Sequence, residues 1–221
     1  MTDTTHDTDA TAPDTKAART RVRIMDATAR VLGRRGFART PLSEIAKEAG
    51  LQAAAIYYHF TSREELIETV IREGTVQVNN HVRHELAGLP ARTDPLDKIA
   101  VAVSAHLQVA LGLSDYIIAA VRNSRQLPDY MRDSIRVNEE EYAALWRDLI
   151  DEAHQAGRIR SDADPYLSRM LVFGALNWAV EWWRPENLTA ETVIETAQTI
   201  VRRGLENRAA PIKSPLFIEP K

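Results

Sequence analysis

From Leu42 to Phe60 the chain runs Leu-Ser-Glu-Ile-Ala-Lys-Glu-Ala-Gly-Leu-Gln-Ala-Ala-Ala-Ile-Tyr-Tyr-His-Phe, and no other segment limits the fold as tightly. Leu42, Ile45, Ala46, Leu51, Ile56 and Phe60 give an apolar face at helical spacing on both sides of Gly50. A glycine there makes the sharp turn that other residues reach only with strain. The pattern predicts helix, turn, short helix: a helix-turn-helix, whose first helix braces a second that enters the DNA major groove. Antiparallel helices around a glycine turn also occur in proteins that never meet DNA, so these apolar residues are core under either reading.

The flanking segments predict more helix. Ile24, Ala27, Thr28, Val31 and Leu32 place a first helix over about Lys16–Arg35, with Gly36 as its C-terminal stop. Thr40-Pro41 should open the second helix, Thr40 as cap and Pro41 in the first turn, and the third should cover about Gln52–His59. Thr61-x-x-Glu64 and Ser62-x-x-Glu65 are overlapping capping-box matches for a fourth helix carrying Leu66, Ile67, Val70 and Ile71 to about Leu86. After a Gly- and Pro-bearing link at 88–95, further helices are expected at about 95–111, 114–126, 128–156, 163–184 and 189–206. No strand alternation or internal repeat is present. The expected class is all-α, a three-helix head on a larger helical body, about nine helices together. The expected organisation is a disordered tail at 1–15, a DNA-binding head at 16–62, an effector-binding and dimerisation body at 63–206 and a flexible tail at 207–221.

Net charge is -3, an unpromising total for a DNA binder. Its distribution is informative. Residues 16–72 carry eleven bases against six acids, a balance of +5, whereas 73–221 sum to -4 and the first fifteen residues hold only acids. Phosphate attraction is local and screened within ~10 Å, so a basic head on an acidic body suits DNA. The absence of cysteine excludes disulfides, thiolate metal sites and cysteine nucleophiles. His81 and His84 stand at i, i+3 without a carboxylate shell beyond Glu85, so no metal site and no cofactor is expected. No Gly-x-Ser-x-Gly or phosphate-cradling glycine loop occurs, and nothing argues for an enzyme. No apolar run approaches the ~20 residues needed to span a bilayer, and the acidic start is unlike a signal peptide. A cytoplasmic protein acting at the nucleoid, without a membrane partner, is the expectation.

Gly36-Phe37, Thr40, Ile45-Ala46, Ala49-Gly50 and Ile56-Tyr57-Tyr58-His59-Phe60, followed by Ser62-Arg63-Glu64-Glu65-Leu66, resemble the DNA-binding domain of the TetR family of bacterial repressors over about residues 18–70. The resemblance implies a dimer on a double-stranded, near-palindromic operator. It implies that Tyr57, His59 and Arg63, with Thr40 and Tyr58 nearby, meet the phosphate backbone, and that Gln52, Ala53, Ala54, Ala55 and Tyr57 face bases. Gln52 can bond an adenine edge, and alanine methyls can meet thymine methyls. Three alanines stand where the family usually has Ser or Thr with Gly or Pro, so apolar contact and DNA shape should carry much of the specificity.

Asn177-Trp178-Ala-Val-Glu-Trp182-Trp183-Arg184-Pro185 resembles the penultimate helix of the branch that controls fatty acid and sterol breakdown, often in answer to acyl-CoA thioesters. Some of that branch has a basic residue where Glu181 stands, and a carboxylate there would repel a CoA phosphate. The implied effector is therefore a small hydrophobic or acyl-CoA-like molecule, the alternative being a hydrophobic drug or aromatic that controls efflux. Candidate effector contacts are His106, Tyr116, Asn123, Arg125, Gln126, Tyr130, Trp146, Asn177, Trp178 and Trp182, a few polar groups on apolar walls. Trp178 and Trp182 share a helix face and serve equally as dimer packing. The last two helices are expected to pair two subunits through Tyr166, Leu167, Met170, Leu171, Phe173, Leu176, Val193, Ile194, Ala197, Ile200 and Val201. A helical enzyme or carrier and a scaffold with a vestigial head are the rivals from other classes.

Overall fold

The structure is a computed structural model that describes residues 15–112 and 114–207, without the side chain of Arg125. The tails expected at 1–15 and 207–221, save Thr15 and Asn207, and the Arg125 contact lie outside the described residues.

The α-helices among the described residues are α1 Lys16–Arg35, α2 Leu42–Ala49, α3 Ala53–Tyr57, α4 Arg63–Ala87, α5 Pro95–Leu111, α6 Asp115–Asn123, α7 Asp129–Gln155, α8 Pro165–Trp182 and α9 Ala190–Leu205. Single 3-10 turns, Phe37–Arg39 and Ser124–Gln126, follow α1 and α6. Among these residues extended pairing is limited to one isolated antiparallel bridge, Ile159 with Glu206. No single described helix is long and apolar enough to cross a membrane.

Local chemistry sets the helix ends. Thr15 accepts from the Ala18 amide at 3.1 Å, Asp94 from Leu96 at 2.9 Å and Asp164 from Leu167 at 2.8 Å, the last two with Pro in the first turn. Ser62 caps α4 by accepting from the Glu65 amide at 3.0 Å, and Glu65 reaches back to the Thr61 amide at 2.6 Å. Of the two overlapping boxes, the chain uses the second. Gly50, at φ 64 and ψ 38, supplies the left-handed turn between α2 and α3. Thr40 departs from expectation: Pro41 occupies the cap of α2, and the Thr40 hydroxyl donates backward to the Gly36 carbonyl at 2.8 Å.

Two apolar clusters form among the described residues. The first joins α1, α2 and α3 to the start of α4 through Ile24, Leu32, Ile45, Ile56, Leu66 and Ile71. It also takes Ala119 and Ala120 from α6 and Met131 and Ile135 from α7, so body helices complete the core of the head. The second, around Val82, Ile99, Val103, Trp146 and Leu176, belongs to α4, α5, α7, α8 and α9 and takes Ile117 from α6. Helix α6 thus serves both cores. It fits because α4 has no side chain at Gly74, where a Cβ would lie 2.3 Å from the Tyr116 carbonyl oxygen.

Candidate nucleic-acid interface and effector cavity

Helix α3 presents one face and buries the other. Ile56 and Phe60 are sunk in the head core, which turns Gln52, Ala53, Ala54, Tyr57 and Tyr58 to solvent and leaves Ala55 and His59 half-buried. Tyr57 is 59% and Tyr58 83% exposed, large amphipathic rings in the open on a helix the core holds rigidly. His59 meets the Tyr58 ring edge-on at 5.1 Å. Seven of the nine residues expected at DNA are therefore on, or at the edge of, one surface.

The other two are drawn inward. Thr40 is 0% exposed with its hydroxyl spent on Gly36, so its side chain cannot meet DNA. Arg63 turns back on the head. Its Nε donates to the Thr40 carbonyl at 2.7 Å, its Nη2 to the Phe37 carbonyl and its Nη1 to Glu64 at 3.0 Å, while the guanidinium lies 4.6 Å over the Phe37 ring. In this structure it clamps the turn before α2 onto α4, in place of the phosphate contact expected for it. Arg30 and Arg34 bind Glu48 at 2.9 and 2.7 Å, and Arg35 binds Glu44 at 2.9 Å. Those bonds, Arg30 first, hold the Glu48 carboxyl below its ordinary range.

A cavity of about 720 Å³ lies in the body, within the range of small-molecule sites. Helix α4 supplies Gly74, Thr75 and Val78, α6 supplies Ile117, Ala120, Val121 and Arg122, and α7 and α8 close it with Tyr142, Phe173, Asn177, Trp178 and Glu181. Of the expected effector contacts, His106, Gln126, Asn177 and Trp178 line it. The others do not. Trp146 is 0% exposed and stands behind the wall, packed against His106, Tyr142 and Phe173. Tyr116 donates to Asp26 of α1 at 2.7 Å. Asn123 is buried against α1, its Nδ2 donating to the Ala119 carbonyl at 2.9 Å and the Leu32 carbonyl at 3.4 Å. Tyr130 and Trp182 point to solvent.

At its inner end the cavity is aromatic and uncharged. His106 is buried with Nδ1 at 2.8 Å from the Tyr142 hydroxyl, and Tyr142 and Phe173 stack or abut its ring at 6.0 and 5.9 Å. Burial lowers its pKa to about 4, so the ring is neutral at physiological pH. Burial also pushes the Tyr142 phenol up, which keeps it protonated. The outer end is charged. Arg122 donates Nε to Glu181 at 3.1 Å, Nη2 to the Val180 carbonyl at 3.3 Å and Nη1 to the Gly33 carbonyl of α1 at 2.9 Å. Arg132, also in the lining, pairs with Asp129.

Helix α8 exposes an apolar stripe of Tyr166, Leu167, Met170, Leu171, Trp178 and Trp182, of which Met170 and Trp178 also line the cavity, and α9 adds Ile200. These residues recur on one helix face. Leu176 and Val193, expected at a subunit contact, face their own core instead, and Phe173, Ile194, Ala197 and Val201 are partly buried against it. The helical period places Leu176 on the buried face of α8, while Phe173, three residues after Met170, stands at the edge of the stripe and turns into the cavity.

A family model described as bacterial regulatory proteins, tetR family, matches residues 24–70, and another, Tetracyclin repressor-like, C-terminal domain, matches residues 92–205. The chain belongs to the TetR family. Among its relatives, the fatty acid metabolism regulator protein of Bacillus subtilis is 24% identical over 162 residues, 73% of this chain and 82% of the relative. The transcriptional repressor KstR2 of Mycolicibacterium smegmatis is 25% identical over 198 residues, 88% of this chain and 95% of the relative. The crystal structure of AibR in complex with isovaleryl coenzyme A and operator DNA superposes with a TM-score of 0.74 at 20% identity, covering 82% of this chain and 97% of that one. This TetR-family chain is a DNA-binding transcriptional regulator, with the helix-turn-helix head and helical body of that fold.

Proposed function

We propose that this TetR-family regulator is a homodimeric repressor, released from a near-palindromic operator by a small, largely apolar effector, with acyl-CoA-like molecules as the first class to consider. The observation that carries the reading is that α6 forms a wall of the cavity and is bonded to α1 of the head by Tyr116, Arg122 and Asn123. A ligand that moves α6 acts on the head directly, in addition to any tilt of α4. That coupling is allosteric provided effector and operator favour different states, and it is then reciprocal.

In this reading residues 16–62 bind DNA and residues 63–206 bind effector and pair subunits. Gln52, Ala53, Ala54, Ala55 and Tyr57 meet base edges, while Tyr58 and His59 meet phosphate. The exposed α8 stripe with Ile200 supplies the two-fold contact, which sets two α3 helices about one DNA turn, ~34–36 Å, apart. The cavity binds its ligand stoichiometrically and performs no catalysis, and the protein acts at the nucleoid. Support for the effector class comes from the relatives: AibR was crystallised with isovaleryl coenzyme A, and the others govern fatty acid metabolism or carry the name KstR2. A second reading, a sensor of neutral drugs or aromatics, is favoured by the internal pairing of Arg122 with Glu181 and Arg132 with Asp129.

Fluorescence anisotropy with the DNA flanking the protein's own gene, against a scrambled duplex at fixed salt, tests the proposal. Specific binding released by one class among acyl-CoAs and neutral hydrophobes is the expected result. Equal, weak binding to both duplexes counts against it.

A further inference from the structure

Resting on the effector-released reading above, we propose that Glu181 is a resident competitor for the effector's anionic group, and that Arg122 is the cation for which the two compete. The ligand class is then an amphiphile with an apolar tail and a carboxylate or phosphate at one end.

The cavity is polarised along its length. His106, Ile117 and Tyr142 are buried and uncharged, so the inner end accepts hydrocarbon or a neutral ring. Gln126 is exposed and marks the outer end, where Arg122 and Glu181 sit. A tail placed inward brings a charged head to the guanidinium. Arginine presents a planar fork of donors that suits carboxylate and phosphate oxygens, and here Glu181 already holds part of it at 3.1 Å. The two side chains are 31% and 35% exposed, so the pair is solvated and exchanges at modest cost. Removing Glu181 therefore raises affinity for anions and leaves neutral ligands alone.

Arg122 has a second role that makes the exchange audible to the head. The same guanidinium donates to the Gly33 carbonyl near the end of α1 and to the Val180 carbonyl of α8. Three of its five N–H donors are spent here, so an anion replaces Glu181 at Nε and reaches the head only as far as seating it draws the guanidinium away from the Gly33 carbonyl. The tie between cavity and α1 loosens, and α1 carries Arg30 and Arg34, which brace α2 through Glu48. Binding of the anion and binding of the operator thus draw on one side chain in opposite directions.

The test uses full-length protein, with octanoate, octanoyl-CoA and 1-octanol as probes of one tail length. Ligand affinity is read by calorimetry without DNA, and operator release separately by anisotropy. In Glu181→Gln, octanoate or octanoyl-CoA should bind roughly threefold to fivefold tighter than in wild type, as expected for loss of a solvated ion pair. Octanol should be unchanged, and Arg122→Gln should bind all three alike. Preference for octanoate or for octanoyl-CoA tells a free carboxylate from a CoA phosphate. An equal gain for octanol, no gain for either anion, or no binding of any probe to either protein overturns the proposal. Should Arg122→Gln fail to fold, Glu181→Gln alone decides. Wild-type protein with the expected gain in Glu181→Gln but no operator binding supports the competition and counts instead against the repressor reading.

Discussion

Arg63 Nε donates to the backbone carbonyl of Thr40 at 2.7 Å, across 23 residues of sequence, and so fixes the chain just before α2 to the first turn of α4. The head's DNA surface depends on this bond, because α2 and α3 are positioned from that turn. Arg63→Ala leaves the Thr40 and Phe37 carbonyls unpaired and strips the ring of Phe37, and should cost about 1–3 kcal/mol in urea unfolding. A salt titration of operator binding separates this role from a phosphate contact. If Arg63 is a clamp, Arg63→Gln weakens binding without changing the salt slope, whereas loss of a phosphate contact lowers the slope by about one unit.

Gly74 lets α6 lie against α4. A methyl there would meet the Tyr116 carbonyl oxygen at 2.3 Å and the Ala120 Cβ at 3.0 Å, and backbone cannot rotate away as a side chain could. Gly74→Ala should destabilise by about 1–3 kcal/mol, the usual cost of overpacking. For a chain of this size that lowers the melting temperature by roughly 2–4 °C per kcal/mol, which calorimetry resolves. The same shift of α6 moves a cavity wall, so ligand affinity should fall in parallel.

His106 gives the body a pH dependence. Its folded pKa is lowered to about 4 from an ordinary 6.5, so between those values the unfolded chain holds a proton that the native state does not. Stability is therefore full above about pH 6.5 and declines as pH falls toward 4, by a total on the order of 3 kcal/mol. His106→Gln should flatten that segment of a stability-against-pH curve. An unchanged slope would mean the ring is protonated without loss of the fold.

Much of the architecture was legible because its signals are local. Caps such as Asp94-Pro95 and Asp164-Pro165 announce themselves within a few residues, and the helix starts they predict are close to those observed. The exposed face of α3 follows from Ile56 and Phe60 alone. The inward bonds of Thr40 and Arg63 were not legible for the opposite reason: their partners lie in other turns of the chain, and neither residue type distinguishes a buried hydroxyl or an inward fork from an outward one. Arg122 shows the same limit in the cavity. Its partners Gly33 and Glu181 are 89 and 59 residues away, so sequence leaves it an arginine that could receive an anionic effector or simply face water. Trp146 and His106 both stand on apolar helix faces, yet one backs the wall and the other forms it. Only packing separates them.

Ala53, Ala54 and Ala55 leave α3 with methyl groups in place of hydrogen-bonding ones along the run expected to face bases. In the proposed complex such a surface responds to the C5-methyl of a pyrimidine, whether thymine supplies it or a methylated cytosine does. Cytosine methylation inside the operator would then count as added contact, not as damage to a hydrogen-bond pattern. The regulator would carry, in three of its smallest side chains, a sensitivity to the chemical marking of its own binding site.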